Sequence, residues 1–212
     1  MSDYYSTRFT FDEKRQIVWK EIARYLQRYI SKDGVLLELG AGYCDFVNQV
    51  SCRKKYAVDH SEKLNQFADD DVIRVNQSVT CLKGIDEGTV DVVFSSNLFE
   101  HLTREEFERC IGEVCRVLRP GGRLIIIQPN FKYCCQSYFD DFTHKLVFTH
   151  ITLQDWLGFL GFEVERVTPR FLPFSMKSRL PVSGWLVWLF LRMPSNPIGK
   201  QFLIVARKKT PS

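Results

Sequence analysis

The stretch Val35-Leu-Leu-Glu-Leu-Gly-Ala-Gly-Tyr-Cys44 decides how the rest of the chain is read. An apolar run of strand length carries one acid, Glu38, and then meets Gly40 and Gly42, one residue apart. Glycine lets the backbone bend tightly and approach a ligand that a Cβ atom would hold off. A strand, such a turn and a following helix are the layout of a nucleotide-binding unit. The next acid at a strand end is Asp59, in Tyr56-Ala-Val-Asp59-His60. It lies about 20 residues on, where a ribose-binding carboxylate belongs in such a unit.

Two ligand classes use this layout, and the position of the last glycine separates them. The dinucleotide pattern is G-x-G-x-x-G or G-x-G-x-x-A, whereas Gly40 and Gly42 are followed by Asp45 at the final position. The small residue needed for close helix–strand contact is missing. A carboxylate there also repels a pyrophosphate approaching the helix N-terminus. A ligand without phosphates, carrying a ribose and a positive charge, suits Glu38, Asp45 and Asp59 better, and S-adenosylmethionine is such a ligand. A nicotinamide-dependent oxidoreductase is the rival that Asp45 argues against.

At these residues the chain resembles the class I S-adenosylmethionine-dependent methyltransferases. Glu38-Leu-Gly40-Ala-Gly42 matches the first family motif and Asp59 the second. Thr89-Val-Asp91-Val-Val-Phe-Ser-Ser-Asn97-Leu-Phe-Glu100-His101-Leu looks like the fourth strand and the loop after it. Arg116-Val-Leu-Arg-Pro120-Gly121-Gly122-Arg-Leu-Ile-Ile-Ile127 looks like the turn and strand that follow. The likeness covers residues 10–168 and the C-terminal strand. Two positions depart from the family: Cys44 stands where many members have a third glycine, and Asn76-Gln77-Ser78-Val79 fills a place that often holds an Asp. The resemblance implies an α/β, Rossmann-like, mostly parallel seven-stranded sheet with helices on both faces and a C-terminal antiparallel hairpin. It also implies one domain over 1–212, with a cover helix in 1–33, a cofactor-binding core in 34–130 and a substrate-side region in 131–200 that carries an insertion at 170–198.

Composition fits such a domain. The 212 residues suffice for a sizeable core, with 45% hydrophobic and 25% charged residues. A net charge of +4, with basic residues scattered apart from Arg53-Lys-Lys55 and Arg207-Lys-Lys209, does not point to nucleic acid. Seven cysteines include no C-x-x-C pair, and no secretory signal precedes Tyr4. That reads as reduced thiols in a cytoplasmic protein with no metal held by cysteines, and no metal is expected. No window approaches the roughly 18 apolar residues of a spanning helix. The nearest is Trp185-Leu-Val-Trp-Leu-Phe-Leu191. That segment reads as a helix over substrate or a homodimer contact, or as an amphipathic lip making a peripheral membrane contact at 185–191.

The pattern along the chain predicts a helix over Phe11–Ile30, then strands at Val35–Leu39, Tyr56–Val58, Val72–Val75, Val90–Ser95 and Arg123–Gln128. Helices are expected at Asp45–Val50, near Ser61–Ala68 and over Thr103–Leu118, the last opened by the capping box Thr103-Arg-Glu-Glu106. Apolar runs rather than alternation mark strands buried on both faces, hence a parallel sheet. Phe131–Phe148 reads as irregular, Leu153–Leu160 as a helix, and Phe162–Thr168 and Phe202–Ala206 as the closing strands.

Ligands in open α/β sheets bind beyond the C-terminal strand ends. Glu38, Gly40, Ala41, Gly42, Tyr43, Asp59, Ser78, Val79, Ser96 and Asn97 fall there and are the cofactor-binding candidates, with His60 as a packing neighbour of adenine. Asp59 would accept from the ribose hydroxyls. Methyl transfer needs the acceptor aligned with the C–S bond, and a base only where the acceptor's proton has a high pKa. Base candidates are His101, Asp140, Asp141, His144 and His150. His101 follows the fourth strand; Asp141 and His144 stand three apart, so a helical turn would let carboxylate and imidazole meet. They are the expected catalytic group, acting on a small-molecule acceptor. The Asp-x-Thr-His region is similar to methyltransferases of sugar and cell-surface polysaccharide pathways, which tilts the acceptor toward a sugar-like hydroxyl. A non-catalytic relative acting as a partner protein is the second rival.

Overall fold

Alternation inside the strands builds two cores, one on each face of a sheet. In Val35–Leu39 (β1), Val35, Leu37 and Leu39 enter one core and Leu36 the other. In Leu118–Pro129 (β5), Leu124 and Ile126 face the first and Ile125 and Ile127 the second. In Gln201–Lys208 (β7), Phe202, Ile204 and Ala206 oppose Leu203 and Val205 in the same way. Each such side chain contributes roughly 1.5–3 kcal/mol by leaving water, which is why strands with two apolar faces take the centre.

The computed structural model describes residues 13–173, 183–193 and 196–210. The remaining strands are β2 (Lys54–Asp59), β3 (Val72–Asn76), β4 (Val90–Ser96) and β6 (Phe162–Leu172). The order is β3-β2-β1-β4-β5-β7-β6, parallel throughout except that β7 lies antiparallel between β5 and β6. The chain moves outward from β1 through β2 to β3, then returns to place β4 on the other side of β1. That reversal opens a crevice at the C-terminal ends of β1 and β4. Register aligns those ends: Leu39 stands opposite both Val58 and Ser95. Gly40, Asp59 and Ser96 therefore emerge at one level.

Helices cover both faces. Glu13–Leu26 (α1) puts Trp19, Ile22, Ala23 and Leu26 on one core at helical spacing. Arg104–Val117 (α3) and His150–Phe159 (α5) cover the other with Phe107, Ile111, Val114, Leu153 and Leu157. The capping box forms: Glu106 N donates to Thr103 Oγ1 at 3.2 Å and Thr103 N to Glu106 Oε2 at 2.8 Å. At the other end of α3, Lys208 Nζ donates to the Cys115 and Leu118 carbonyls.

Several local expectations are corrected. The helix expected at Asp45–Val50 shrinks to a 3-10 turn, Val47–Gln49: the left-handed turn before it ends only at Cys44, and the Val47 N–H is taken by Glu38. The helix near Ser61–Ala68 is the single turn Leu64–Phe67 (α2). Phe131–Phe148 is not irregular throughout: Phe131–Tyr138 forms a helix (α4) with Cys134 and Tyr138 buried. The fifth strand begins at Leu118, and a register shift between Val90 and Val92 absorbs the turn expected at Gly121-Gly122. Gly184–Phe190 (α6) rests on α1 but leaves Trp185, Leu186 and Leu189 exposed. The start of the first helix at 11–12 and, from the expected insertion, residues 174–182 and 194–195 lie outside the described residues. No helix among the described residues is long and apolar enough to cross a membrane.

Candidate active site

The turn after β1 alternates left-handed residues: Gly40 at φ 66°, Gly42 at φ 52° and Cys44 at φ 56°. A Cβ on Gly40 would stand 3.0 Å from Leu98 Cδ1, on the loop after β4. Cys44 occupies the place of the third family glycine and adopts a glycine-like backbone, which costs an L-residue about 1–2 kcal/mol. Its side chain is fully buried, and burial pushes the thiol's pKa up. The inert thiol thus offsets backbone strain with packing.

Hydrogen bonds inside the turn decide what ligand it suits. Gly40 N and Ala41 N both donate to Val58 O, Gly42 N to Asp59 Oδ2 at 2.9 Å, Cys44 N to Ala41 O and Val47 N to Glu38 Oε2 at 2.9 Å. These N–H groups are engaged within the protein, whereas a pyrophosphate needs them as its donors. The expectation that Asp45 repels phosphate is corrected: Asp45 accepts from Arg15 at 2.8 Å and from Gln16 at 2.5 Å, so its charge is matched from α1. Engaged donors, not a bare carboxylate, disfavour a dinucleotide here. Glu38 braces the loop from below. Burial first, then the charges of Asp45 and Asp59, raise its pKa well above the ordinary carboxylate value, against the Val47 hydrogen bond.

Asp59 stands at the end of β2 with a side chain only 6% exposed. Its Oδ2 takes the Gly42 N–H and its Oδ1 the Ser61 N–H at 2.8 Å. A carboxylate oxygen has capacity for more than one donor, and a ribose diol is the neutral donor pair that suits it. A turn bent at two glycines beside a fixed carboxylate, with its amides engaged, fits an adenosyl ligand with a cationic tail. Tyr43 is buried, edge-on to Phe67 at 4.7 Å. His60 is 86% exposed, its Nδ1 3.5 Å from Asp59 Oδ1. Ser78 turns its hydroxyl onto Thr80 at 2.8 Å, and Val79 is buried in the core. Asn97, left-handed at φ 49°, donates from Nδ2 to Ser96 Oγ.

A second polar group lies past β4. Glu100 and His101 close the 3-10 turn Phe99–His101. Thr143 Oγ1 lies 2.9 Å from His101 Nδ1 and donates to Asp141 Oδ1 at 2.6 Å; Thr143 N also donates to that oxygen. Asp141 thus reaches His101 through Thr143. The three-residue step from Asp141 to His144 serves differently from expectation: His144 Nδ1 meets the Tyr138 carbonyl at 2.6 Å, and its ring centroid lies 5.0 Å from that of His101. His150 stands apart, 3.0 Å from Asn130 Nδ2. Glu100, 1% exposed, accepts from Gln128 Nε2 at 2.5 Å. Sequence reading passed over Glu100, Thr143 and Gln128; an acid inside the apolar run Leu98-Phe99-Glu100 was the one available signal.

Burial dominates the electrostatics. It lowers the His101 pKa to about 4, with His144 adding to the effect, and lowers that of His144. Partial burial opposes ionisation of Asp141, but the Thr143 hydrogen bonds and the two imidazoles hold its carboxyl below the ordinary value. Burial raises Glu100 to about 8, from an ordinary 4.5. A raised folded value means that Glu100 supports the fold fully below about pH 4.5 and that this support is lost as the pH rises through about 8. Urea midpoints of Glu100→Gln and the parent, measured with EDTA present, should therefore diverge with pH. The variant's relative gain is expected to be smallest near pH 4.5 and largest above pH 8. A difference that stays flat across that range rules out a buried carboxyl that resists ionisation.

This sheet order, with β7 antiparallel between β5 and β6, is the fold seen in solved S-adenosylmethionine-dependent methyltransferases. Residues 37–126 match the family described as methyltransferase domain. Over 123 residues, 52% of the chain, it is 31% identical to phosphoethanolamine N-methyltransferase 1 of Triticum aestivum. The chain spans about a quarter, 24%, of the length of that relative. A solved S-adenosylmethionine-dependent methyltransferase of Archaeoglobus fulgidus superposes over 97% of both chains with a TM-score of 0.68 and 20% identity. The complex of the Haloferax volcanii Trm112 methyltransferase activator with a methyltransferase matches over 92% of this chain and 90% of that one, at a TM-score of 0.69 and 17% identity. At such identities the likeness to these structures is one of fold.

Proposed function

We propose that this protein transfers the methyl group of S-adenosylmethionine to a hydroxyl of a small sugar-like or lipid-linked acceptor. The observation that carries the reading is the pairing of two groups at one end of the sheet: the Asp59-anchored turn, and the Glu100–His101–His144 cluster held by Asp141 and Thr143. In this reading residues 34–130 hold the cofactor, α1 covers the turn, and residues 131–200 face the acceptor. Asp59 accepts from the ribose hydroxyls, Gly40, Ala41, Gly42 and Tyr43 shape the wall along the adenosyl tail, and Ser96 and Asn97 close it from β4. His60, Ser78 and Val79 border the adenine end. The cofactor supplies a methyl group already activated by its sulfonium charge. What remains for the chain is alignment of the acceptor and removal of its proton. Asp141, through Thr143, fixes the His101 ring, and the cluster takes charge of that proton. A cluster so built suits a hydroxyl, whose proton is held far more tightly than that of an amine.

Calorimetry with S-adenosylhomocysteine and NAD tests the cofactor; tight NAD binding without S-adenosylhomocysteine binding would overturn the reading. Labelled S-adenosylmethionine offered with a panel of hydroxyl acceptors tests the reaction. Phosphoethanolamine is offered beside that panel as an amine acceptor, since the wheat relative's name carries one. Binding of the cofactor product with no methyl transfer to any acceptor would instead favour a non-catalytic partner protein. On a responsive hydroxyl acceptor, His101→Ala is expected to lower turnover by about 100- to 1,000-fold while leaving S-adenosylhomocysteine affinity within about twofold. Equal losses in both would move His101 to the cofactor side.

The exposed Trp185, Leu186 and Leu189 of α6 add a surface contact to this reading, with a second copy or with a membrane surface. Sedimentation and vesicle flotation separate the two, and a monomer that leaves vesicles bare removes both.

A further inference from the structure

We propose that Glu100, His101 and His144 form a binding site for one divalent transition-metal cation at the acceptor end of the crevice. One ligand atom from each lies within 4.8 Å of the other two. Ligands about 2.1 Å from a cation stand roughly 3.0–3.4 Å apart, so small side-chain rotations close the site. The sequence offered no such grouping, because its metal expectation rested on cysteine spacing and these ligands come from two distant segments.

The convergence is built into the backbone. Lys145 N and Leu146 N both donate to the Glu100 carbonyl, at 2.7 and 3.1 Å, stitching the segment that carries His144 to the turn that carries the other two ligands. Tyr138 fastens the same segment, its hydroxyl donating to Leu146 O at 2.6 Å.

Each ligand also has the outer partner that metal-binding side chains carry. The Tyr138 carbonyl can only accept, so His144 holds its proton on Nδ1 and presents Nε2 as the lone-pair nitrogen. The Thr143 hydroxyl donates to the Asp141 carboxylate and therefore accepts from His101 Nδ1, which sets the same tautomer there. Gln128 Nε2 orients the Glu100 carboxylate. Buried carboxylates are ordinarily matched by a cation. Glu100 is 1% exposed, and no lysine or arginine forms an ion pair with it among the described residues.

The donor set selects the cation class. Two imidazole nitrogens and one carboxylate oxygen favour zinc, cobalt, iron or manganese over magnesium or calcium, and three protein ligands leave a position open. The catalytic consequence rests on the methyltransferase reading above: a cation here lowers the pKa of an acceptor hydroxyl that reaches it. Binding of the metal itself does not depend on that reading.

The test uses the full chain, stripped with EDTA and titrated with ZnCl2 and CoCl2 by calorimetry, with the visible spectrum of the cobalt form recorded. One cation per chain is expected, with cobalt bands showing nitrogen ligation. Glu100→Gln and His144→Gln should each weaken binding at least 10-fold and leave S-adenosylhomocysteine affinity within about twofold. Absence of saturable binding to the wild-type chain, or binding untouched by both substitutions, overturns the site. Should either variant fail to fold, spin-echo spectra of the wild-type copper(II) form decide: two imidazoles support the site, and fewer overturn it. Metal binding without S-adenosylhomocysteine binding would sink the methyltransferase reading alone, and the converse would sink the metal site alone.

Discussion

Asp59→Ala is expected to weaken S-adenosylhomocysteine binding by at least about 100-fold, a loss near 2.7 kcal/mol. Two effects combine. The ribose loses its charged acceptor, and hydrogen bonds to charged groups are worth about 1.5–3 kcal/mol each. The Gly42 and Ser61 amides also lose their acceptor, at about 1–3 kcal/mol for each group left buried and unsatisfied. The substitution should therefore lower folding stability as well as affinity. Asp59→Asn separates the two, since its amide oxygen still accepts one N–H while the charge is gone. It is expected to recover most of the stability and little of the affinity. Calorimetry and urea unfolding on the same preparations give both quantities. Affinity within threefold of the parent in Asp59→Ala would mean that this carboxylate holds the turn and not the ligand.

Phe46→Ala should cost about 3–5 kcal/mol of folding stability, the range for emptying a buried phenylalanine site. A domain holds only about 5–15 kcal/mol in all. Phe46 is fully buried, with its ring 3.7 Å from that of Phe94 on β4 and edge-on to Trp19 of α1 at 6.2 Å. Next to it, Asp45 is gripped by Arg15 and Gln16 of the same helix. The helix, the turn and the fourth strand thus meet at one aromatic cluster. Emptying its middle should loosen the Gly40–Cys44 turn and lower S-adenosylhomocysteine affinity about 10-fold. Phe46→Leu keeps much of the volume and should lose less of both. A variant that loses the stability but keeps the parent's affinity would show that the turn holds its shape without the clamp.

Local chemistry explains why so much was legible. Val35–Leu39 and Arg123–Gln128 are apolar on both faces, and that pattern belongs to central parallel strands. Gly40 and Gly42 take the left-handed conformations their residue type permits, and Thr103 with Glu106 closes the capping box written four residues long. The helix expected after the glycines failed because the Val47 amide is drawn to Glu38 under the turn, which leaves only the 3-10 turn Val47–Gln49. The aromatic stretch after β5 looked irregular, yet burial of Cys134 and Tyr138 against the core winds it into α4.

The sequence by itself determined the elements whose cause lies within a few residues: the strands, the bent turn at Gly40 and Gly42, and the acid at the end of β2. Only the tertiary structure decided that Arg15 neutralises Asp45, that Thr143 joins Asp141 to His101, and that His144 comes to lie beside Glu100. Such partners stand tens of residues apart and are brought together by closure of loops over a common core. Backbone preference and hydrophobic period act over a turn or two of chain, so neither carries a record of which distant side chain will arrive.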